Sequence, residues 1–178
     1  MGAEHGTKTE CDPMAAFAEM CKPADQHTLF KPFVGTFRAT IKMWMGPGEP
    51  MVHTGTMVNT MELGGLFLMQ DYKGDPAPGP FPAFAGKGFF GFNKYKKQFE
   101  GFWADNAASW MSMEAGQADS TGKVWTMHSA MDDPMTGKPT TKRTVIRVTD
   151  QNHHSMEMYF TPQGGEESKC MEITYVRK

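Results

Sequence analysis

Methionine is the residue type that stands out when the sequence is searched for groups that could do chemistry. The chain of 178 residues contains 17 methionines. Three pairs are separated by one residue: Met43/Met45, Met111/Met113 and Met156/Met158. On a strand, this spacing places both thioethers on one face, and soft sulfur ligands suit Cu(I). The alternative is an adaptable apolar interior, which we favour because soft ligands alone specify little.

Among the six histidines, none is spaced like a zinc finger or a helical metalloprotease site. His128 is the most informative, because it lies in a predicted strand that carries Trp125 and Met127 on its other face. A haem-binding barrel needs such a histidine facing its cavity. A half-buried structural histidine is the commoner situation, so a haem carrier that uses His128 is an alternative hypothesis.

Acids and bases suited to hydrolysis are present: Asp105, Glu157, Glu172, Arg143 and Arg147. Arg143 and Arg147 share one face of a predicted strand, and Thr144 and Val148 share the other. If the face of Thr144 and Val148 points inward, both arginines are solvated and can pair with Glu157. An exposed ion pair of this kind contributes only about 0–1 kcal/mol to stability. No serine has a nucleophile-elbow context and no glycine loop precedes a helix. We therefore predict no catalytic residue, no metal site and no cofactor, while an enzyme of unknown reaction stays an alternative.

Charge and hydropathy restrict the partners. The net charge is −2 and the isoelectric point is about 6.3, which argues against nucleic acid or an anionic membrane as the main partner. No apolar run is long enough to span a bilayer, so a soluble protein is predicted. The N-terminus lacks the pattern of an export signal. This favours a cytoplasmic protein, and the alternative is an exported protein whose leader has been removed.

The three cysteines, Cys11, Cys21 and Cys170, are an odd number without metal-like spacing. Cys11 and Cys21 flank a short predicted helix and could form one disulfide in an exported protein. Reduced thiols are the favoured interpretation, because disulfides are rare in reducing compartments.

The elements that must position these residues are best seen between Phe84 and Glu114. Phe84–Phe92 and Gln98–Ala104 are aromatic-rich runs on either side of a polar turn, which is the pattern of a β-hairpin. A second turn leads into a predicted strand over Ser109–Met113. Several glycines lie inside these runs, where glycine marks bulges and barrel bends. The pattern therefore predicts a sheet that curls until it closes.

Most of the remaining chain is also predicted to form strands separated by short turns. Phe37–Met43 alternates strictly between apolar and polar residues, as a half-buried antiparallel strand does. Further strands are predicted at Val52–Leu63, Leu66–Tyr72, Lys123–Met131, Thr140–Thr149, His154–Thr161 and Lys169–Arg177. Two short helices are predicted at Pro13–Lys22 and Gln26–Phe33, and Leu29, Phe30 and Phe33 of the second could plug one end of a barrel. We expect a polar segment with a short helix over residues 1–23 and one all-β domain over residues 24–178, a closed up-and-down antiparallel barrel of about ten strands.

The order of several short motifs carries a family resemblance. These are Val34-Gly35-Thr36-Phe37, Pro47-Gly48-Glu49-Pro50, Gly64-Gly65, Trp103-x-Asp105, Asp133-Pro134-x-Thr136-Gly137 and Ile173-x-Tyr175-x-Arg177. In this order, the chain from Leu29 to Lys178 resembles the lipocalin-like domain-of-unknown-function family numbered fifteen seventy-nine. The resemblance implies a calycin-type barrel and no particular reaction. It also implies that Arg177 packs over Phe37. Lipocalin-like barrels usually have Trp where this chain has Phe37.

The function that these observations favour is binding of a small apolar molecule inside the barrel. The oligomeric state and the ligand's identity are not specified by the sequence. If the apolar faces point inward, the cavity is lined by Phe37, Ile41, Met43, Trp103, Trp125, Met127, Met156, Met158 and Tyr175. Alternatively, these side chains fill the barrel, or the protein is a small-molecule enzyme or a haem or copper carrier.

Overall fold

Ten antiparallel strands form a closed barrel in the computed structural model, which describes residues 12–76, 82–133 and 136–178. The all-β barrel predicted from the sequence is confirmed. The strands are β1 (Gly35–Met43), β2 (Met51–Glu62), β3 (Phe67–Gly74), β4 (Ala85–Asn93), β5 (Gln98–Asp105), β6 (Ser112–Ala118), β7 (Val124–Asp132), β8 (Pro139–Val148), β9 (His153–Pro162) and β10 (Ser168–Arg177).

Each strand pairs with its neighbours in the sequence, and β10 closes the barrel against β1. The closing register runs from Phe37 opposite Arg177 to Met43 opposite Met171. Closure matters because an open sheet of this size would leave two rows of unpaired backbone groups at its edges. In β1 the alternation predicted from the sequence is present, and Phe37, Ala39 and Ile41 are buried inside.

Two short helices precede the barrel. Helix α1 (Pro13–Met20) begins at Asp12, whose side chain accepts a hydrogen bond from the backbone N–H of Met14, as a helix N-cap does. A 3-10 helix follows over Asp25–Phe33. None of the helices in the described part of the chain has the length and apolar character needed to cross a membrane.

The 3-10 helix closes one end of the barrel, as predicted. Phe30 and Phe33 are buried, and their ring centroids lie 5.6 and 5.5 Å from that of Trp125. Leu29 packs against the same cluster from a partly buried position. The aromatic plug brings apolar side chains from distant parts of the sequence into one core.

Glycine at one position of β4 makes room for a large aromatic side chain. A Cβ atom at Gly86 would overlap the indole ring of Trp103 on β5. The missing side chain lets the indole lie across the inner face of β4, where its Nε1–H donates a 3.0 Å hydrogen bond to Asp105.

The expected strand over Ser109–Met113 is wrong in its position. Strand β6 begins at Ser112 and ends at Ala118, and Trp110 and Met111 lie exposed in the preceding loop. Trp and Met favour strands more than Glu, Gly and Gln do, but pairing with a neighbouring strand overrides that preference. Here β5 pairs with β6 from Phe99 opposite Gly116 to Trp103 opposite Ser112.

Arg177 joins the two ends of the barrel domain. Its guanidinium carbon lies 4.4 Å from the ring centroid of Phe37, so the contact expected from the family resemblance is confirmed. The same guanidinium donates hydrogen bonds to the carbonyls of Val34 at 2.7 Å, Pro32 at 3.0 Å and Gln151 at 2.8 Å. Its donors therefore connect the last strand to the 3-10 helix and to the β8–β9 turn.

We expect Phe37→Ala to lower the free energy of unfolding by about 3–5 kcal/mol, because the ring is fully buried beneath Arg177. Chemical denaturation followed by tryptophan fluorescence measures the change. Val176→Ala is the matched control, since Val176 is exposed on β10, and it should change stability by at most about 0.5 kcal/mol. A loss below about 1 kcal/mol for Phe37→Ala would contradict the inward position of this ring.

Candidate ligand-binding site

The interior of the barrel is packed differently at its two ends. Around the 3-10 helix, one cluster of buried side chains packs together, and we call this the plugged half: Phe30, Phe33, Leu68, Phe99, Trp125, Met127 and Val148. A second buried cluster forms a belt across the middle of the barrel: Phe37, Ala39, Ile41, Met57, Tyr72, Ile173 and Tyr175. Beyond the belt lies the open half, where the inward residues Thr140 and Lys142 are buried. Six other inward residues of this half are only partly buried: Met43, Trp103, Ser112, Glu114, Met158 and Met171.

Methionines form a continuous row on the inner wall of the open half. Met51 pairs with Met43, Met43 with Met171, and Met171 with Met158, across β2, β1, β10 and β9. Met51 at the end of this row is exposed, and the other three are half-buried. Flexible thioether side chains can adapt to apolar molecules of different shape.

Past the β9 end of this row, the inner wall carries a charged pair on β6 and β8. Lys142 Nζ on β8 lies 3.1 Å from Glu114 Oε2 on β6, and the two side chains are only 8% and 10% exposed. Lys142 Nζ also donates to Ser112 Oγ at 3.0 Å, and Thr144 Oγ1 donates to Glu114 Oε2 at 3.0 Å. Ion pairs buried to this extent are unusual, since each ion gives up its hydration.

The strand between the two charged side chains carries a small residue, Ser129. Ser129 on β7 pairs with Lys142 on β8, and its hydroxyl is buried without a hydrogen-bond partner among the described atoms. Glu114 faces the interior because its cross-strand partner on β5 is the buried Gly101. Glu114, Ser129 and Lys142 thus follow one another across three adjacent strands.

A surface depression of about 550 Å³ lies at the rim of the open half. It is bounded by the ends of β7, β8 and β9, and is lined by Ala130, Met131, Asp132, Pro139, Thr140, Thr141, Thr161, Pro162, Gln163 and Gly164. Thr140 is buried and is the next inward position on β8 after Lys142 toward the rim. The concave surface therefore reaches Thr140, one inward position from Lys142.

The nine residues predicted to line a cavity fall into different parts of the interior. Trp125 and Met127 belong to the plugged half, and Phe37, Ile41 and Tyr175 to the belt. Trp103 and Met156 pack against the belt from partly buried positions, and Met43 and Met158 lie half-buried in the open half. Only the last four are partly exposed, and a role in ligand binding for any of the nine stays a prediction.

The charged pair was missed by the sequence analysis. Lys142 has the same strand parity as Thr144 and Val148, which were expected to point inward, so the alternation of β8 could have found it. Glu114 gave no such signal, because the strand predicted there ended at Met113. Glu157 was predicted to pair with both outward arginines. The prediction is confirmed for Arg147, which lies 3.8 Å from Glu157. It is wrong for Arg143, which pairs with Glu167 at 2.6 Å.

The exposure of His128 and of several methionines weakens the hypotheses of a haem or copper carrier. His128 is exposed on β7, while Trp125 and Met127 on the same strand are buried, so His128 does not face the interior as a haem ligand would. Met45, Met111 and Met113 are also exposed, which leaves Met156/Met158 as the inward pair. In the described part of the chain, no cluster of three or more His, Cys, Asp or Glu side chains could hold a metal ion.

The cysteines are accounted for in part. Cys21 is an exposed free thiol, and Cys11 lies outside the described residues, so the possible bridge between them is not described. Burial raises the pKa of the Cys170 thiol to about 11, and this thiol donates to the carbonyl of Met158. Cys170 is therefore protonated at neutral pH.

His154 is the buried histidine next to the belt. Its ring stacks on Tyr175 at a centroid distance of 4.3 Å and meets the edges of Phe37 at 4.7 Å and Phe33 at 5.1 Å. Burial, together with the positive charge of Arg177, lowers the pKa of His154 to about 4. The imidazole is therefore neutral at neutral pH and acts as an aromatic packing residue.

The closed barrel with one plugged end defines a class of small barrel proteins, and comparisons identify the family. The chain belongs to the family described as protein of unknown function DUF1579, whose model matches residues 22–177. This confirms the resemblance found in the sequence. No curated protein matches the chain at a significant level.

Two solved structures share the fold. Rv2717c from M. tuberculosis superposes with a TM-score of 0.64 and 15% identity, covering 88% of this chain and 99% of its own. The S-type phycobiliprotein lyase CPES from Guillardia theta superposes with a TM-score of 0.61 and 11% identity, covering 91% of this chain and 97% of its own. At these identities the likeness establishes the barrel and nothing further.

We expect stability to fall between about pH 6.5 and pH 4, because the unfolded state binds a proton on His154 that the folded state rejects. A shift of this size corresponds to about 3 kcal/mol. The contribution is fully present above the unfolded pKa and is lost as the pH falls toward the folded pKa. His154→Phe should remove this part of the pH dependence, measured by denaturation at several pH values. His153→Gln is the exposed control, and parallel pH profiles for wild type and His154→Phe would contradict the assignment.

Removing one member of the buried pair should be more harmful than removing both. We expect Lys142→Met to lower stability by about 3–5 kcal/mol, because it leaves Glu114 charged and buried. The double variant Lys142→Met/Glu114→Met should recover most of the loss. Denaturation measures both, with Arg147→Met in the exposed pair as a control that costs at most about 1 kcal/mol. Additive losses in the double variant would mean that the two charges do not stabilise each other.

Proposed function

We propose that this protein binds a small, largely apolar molecule in the open half of the barrel. The observation that carries the proposal is the contrast between the two halves. Among the inward side chains around the 3-10 helix, Phe99, Trp125 and Met127 are buried, whereas Met43, Met158 and Met171 in the open half are inward and partly exposed. An apolar wall that faces inward and keeps contact with solvent is a surface that a ligand can cover.

The composition of the wall favours an apolar ligand of variable shape. Three half-buried methionines follow one another across adjacent strands, and Trp103 on β5 packs against the belt. Methionine recurs at surfaces that accept several ligands, because its side chain has three rotatable bonds and a polarisable sulfur. A barrel of this size can accommodate one small ligand when its interior is not filled by its own side chains.

A second candidate, Cu(I) binding, rests on the same methionine row. Met43, Met171 and Met158 are cross-strand neighbours, and thioethers are soft ligands that select Cu(I). The two functions make opposite demands on the sulfur atoms. An apolar pocket needs only their volume, whereas a copper site needs the sulfur itself.

We expect the neutral fluorescent probe Nile red to bind the native protein and to be displaced by apolar competitors. Met43→Arg should weaken this binding about tenfold or more, because it brings a charge into the apolar wall near the rim. Met113→Arg is the matched control on the outer face, where Met113 is exposed and pairs with Phe102. Loss of binding in Met113→Arg with retention in Met43→Arg would place the probe outside the barrel and contradict the proposal.

The double variant Met43→Leu/Met158→Leu separates the apolar pocket from the copper site, because it removes two of the three half-buried sulfur atoms in the row. Leucine keeps nearly the same volume, so stability should change by less than about 1.5 kcal/mol, and Nile red binding should remain. Copper is measured in both proteins after incubation with Cu(I) under reducing conditions. Stoichiometric copper in the wild type that disappears in the double variant would favour the metal function over the apolar pocket.

A further inference from the structure

The buried pair of Lys142 and Glu114 has bonding capacity that its own contacts do not use. An ammonium group has three N–H donors, and the described contacts of Lys142 Nζ are those to Glu114 and Ser112. A carboxylate accepts on both oxygens, and both contacts to Glu114 in the described part of the chain go to Oε2. One donor and one acceptor oxygen are therefore left for a third group.

The pair is a poor device for stability alone. Two charges that lose their hydration regain only part of the cost from their mutual attraction, and well-packed apolar residues often serve equally well. The surrounding wall offers such residues, since the belt and the methionine row are apolar. A few convergent polar groups in a mostly apolar concavity are, in contrast, the usual composition of a small-molecule site.

The net charge of the pair restricts what can bind to it. An anionic head group would gain from Lys142 but meet the negative charge of Glu114 within 3.1 Å of the ammonium, and a cation would meet the reverse. At low local dielectric these opposing terms are large and nearly cancel, while the ion still loses its hydration. A neutral group with a donor beside an acceptor satisfies both partners without that cost.

We propose that Lys142 and Glu114 anchor the polar end of a neutral amphipathic ligand, one with an amide, lactam or similar donor–acceptor group on an apolar body. The ligand's acceptor binds Lys142 Nζ and its donor binds Glu114, while the apolar body covers the methionine row. This inference rests on the proposed ligand site in the open half and names the chemical class that the site takes.

The test is displacement of Nile red by four molecules of one chain length: decanamide, methyl decanoate, decanoate and decylammonium. In the wild type, decanamide should bind about tenfold more tightly than methyl decanoate, which has no donor, because one added charge-assisted hydrogen bond is of that order. Lys142→Met/Glu114→Met should remove the preference, which is a ratio of two affinities measured on the same variant and therefore does not depend on that variant's own affinity for Nile red. This double variant loses both charges together, so it avoids leaving one of them unpaired.

Two single variants should bind a charged ligand more tightly than the wild type does, which would not happen if the pair had only a structural role. Glu114→Gln leaves Lys142 without its counter-charge, so decanoate should bind about tenfold more tightly than it does to the wild type. Lys142→Met should do the same for decylammonium. Circular dichroism verifies the barrel in each variant, and the double variant alone decides the matter if either single variant fails to fold.

The outcomes separate the anchor from the ligand site itself. If Nile red binds the wild type but decanamide is not preferred over methyl decanoate, the proposed anchor is contradicted and the proposed apolar site is retained. A preference that persists unchanged in the double variant also overturns it. Failure of Nile red to bind the wild type contradicts the proposed function, and it also contradicts the anchor, which depends on that ligand site.

Discussion

The width of a closed ten-stranded barrel is the constraint on which the rest of this structure depends. An eight-stranded barrel can be filled by its own inward side chains, and the interior widens as strands are added. Ten strands close here through the β1–β10 register, so additional groups are needed to fill the space. The 3-10 helix supplies Phe30 and Phe33 at one end, and no second helix in the described part of the chain fills the other.

This asymmetry explains the distribution of side chains along the inner wall. Near the plug, aromatic rings pack edge to face, as Phe33 does against Trp125, and His154 is neutral because it is buried with them. Farther along, methionines replace aromatic rings, and the pair of Lys142 and Glu114 lies on the wall. The charged pair at that depth is supported by the hydroxyl groups of Ser112 and Thr144, which hydrogen-bond to Lys142 and Glu114.

Much of the architecture was predictable because its causes are local. The alternation in β1, the turn residues between strands and the apolar positions of the 3-10 helix each follow from short-range patterns, and the contact of Arg177 with Phe37 followed from the family resemblance. The candidate site was predictable only in part. Lys142 has the inward parity of Thr144, but an isolated lysine does not reveal its partner.

Glu114 could not be found because tertiary pairing decides where β6 lies. The sequence pattern ends the predicted strand at Met113, whereas β6 continues to Ala118. Pairing with the inward position Gly101 then places the Glu114 carboxylate inside. The filling of the interior is likewise a property of the assembled barrel. No pattern in β7 distinguishes Trp125 beneath the plug from Met131 at the rim.

The most direct measurement of the central claim is anomalous diffraction from crystals of the protein soaked in bromobenzene, a small apolar molecule with a bromine label. An open half beside a plugged half predicts a bromine peak inside the barrel, next to Met43, Met158 or Met171. A peak between Phe30 and Trp125 would mean that the plugged end is the receptive one. Bromine found only on the outer face, against Phe89 and Phe102, would contradict an interior site altogether.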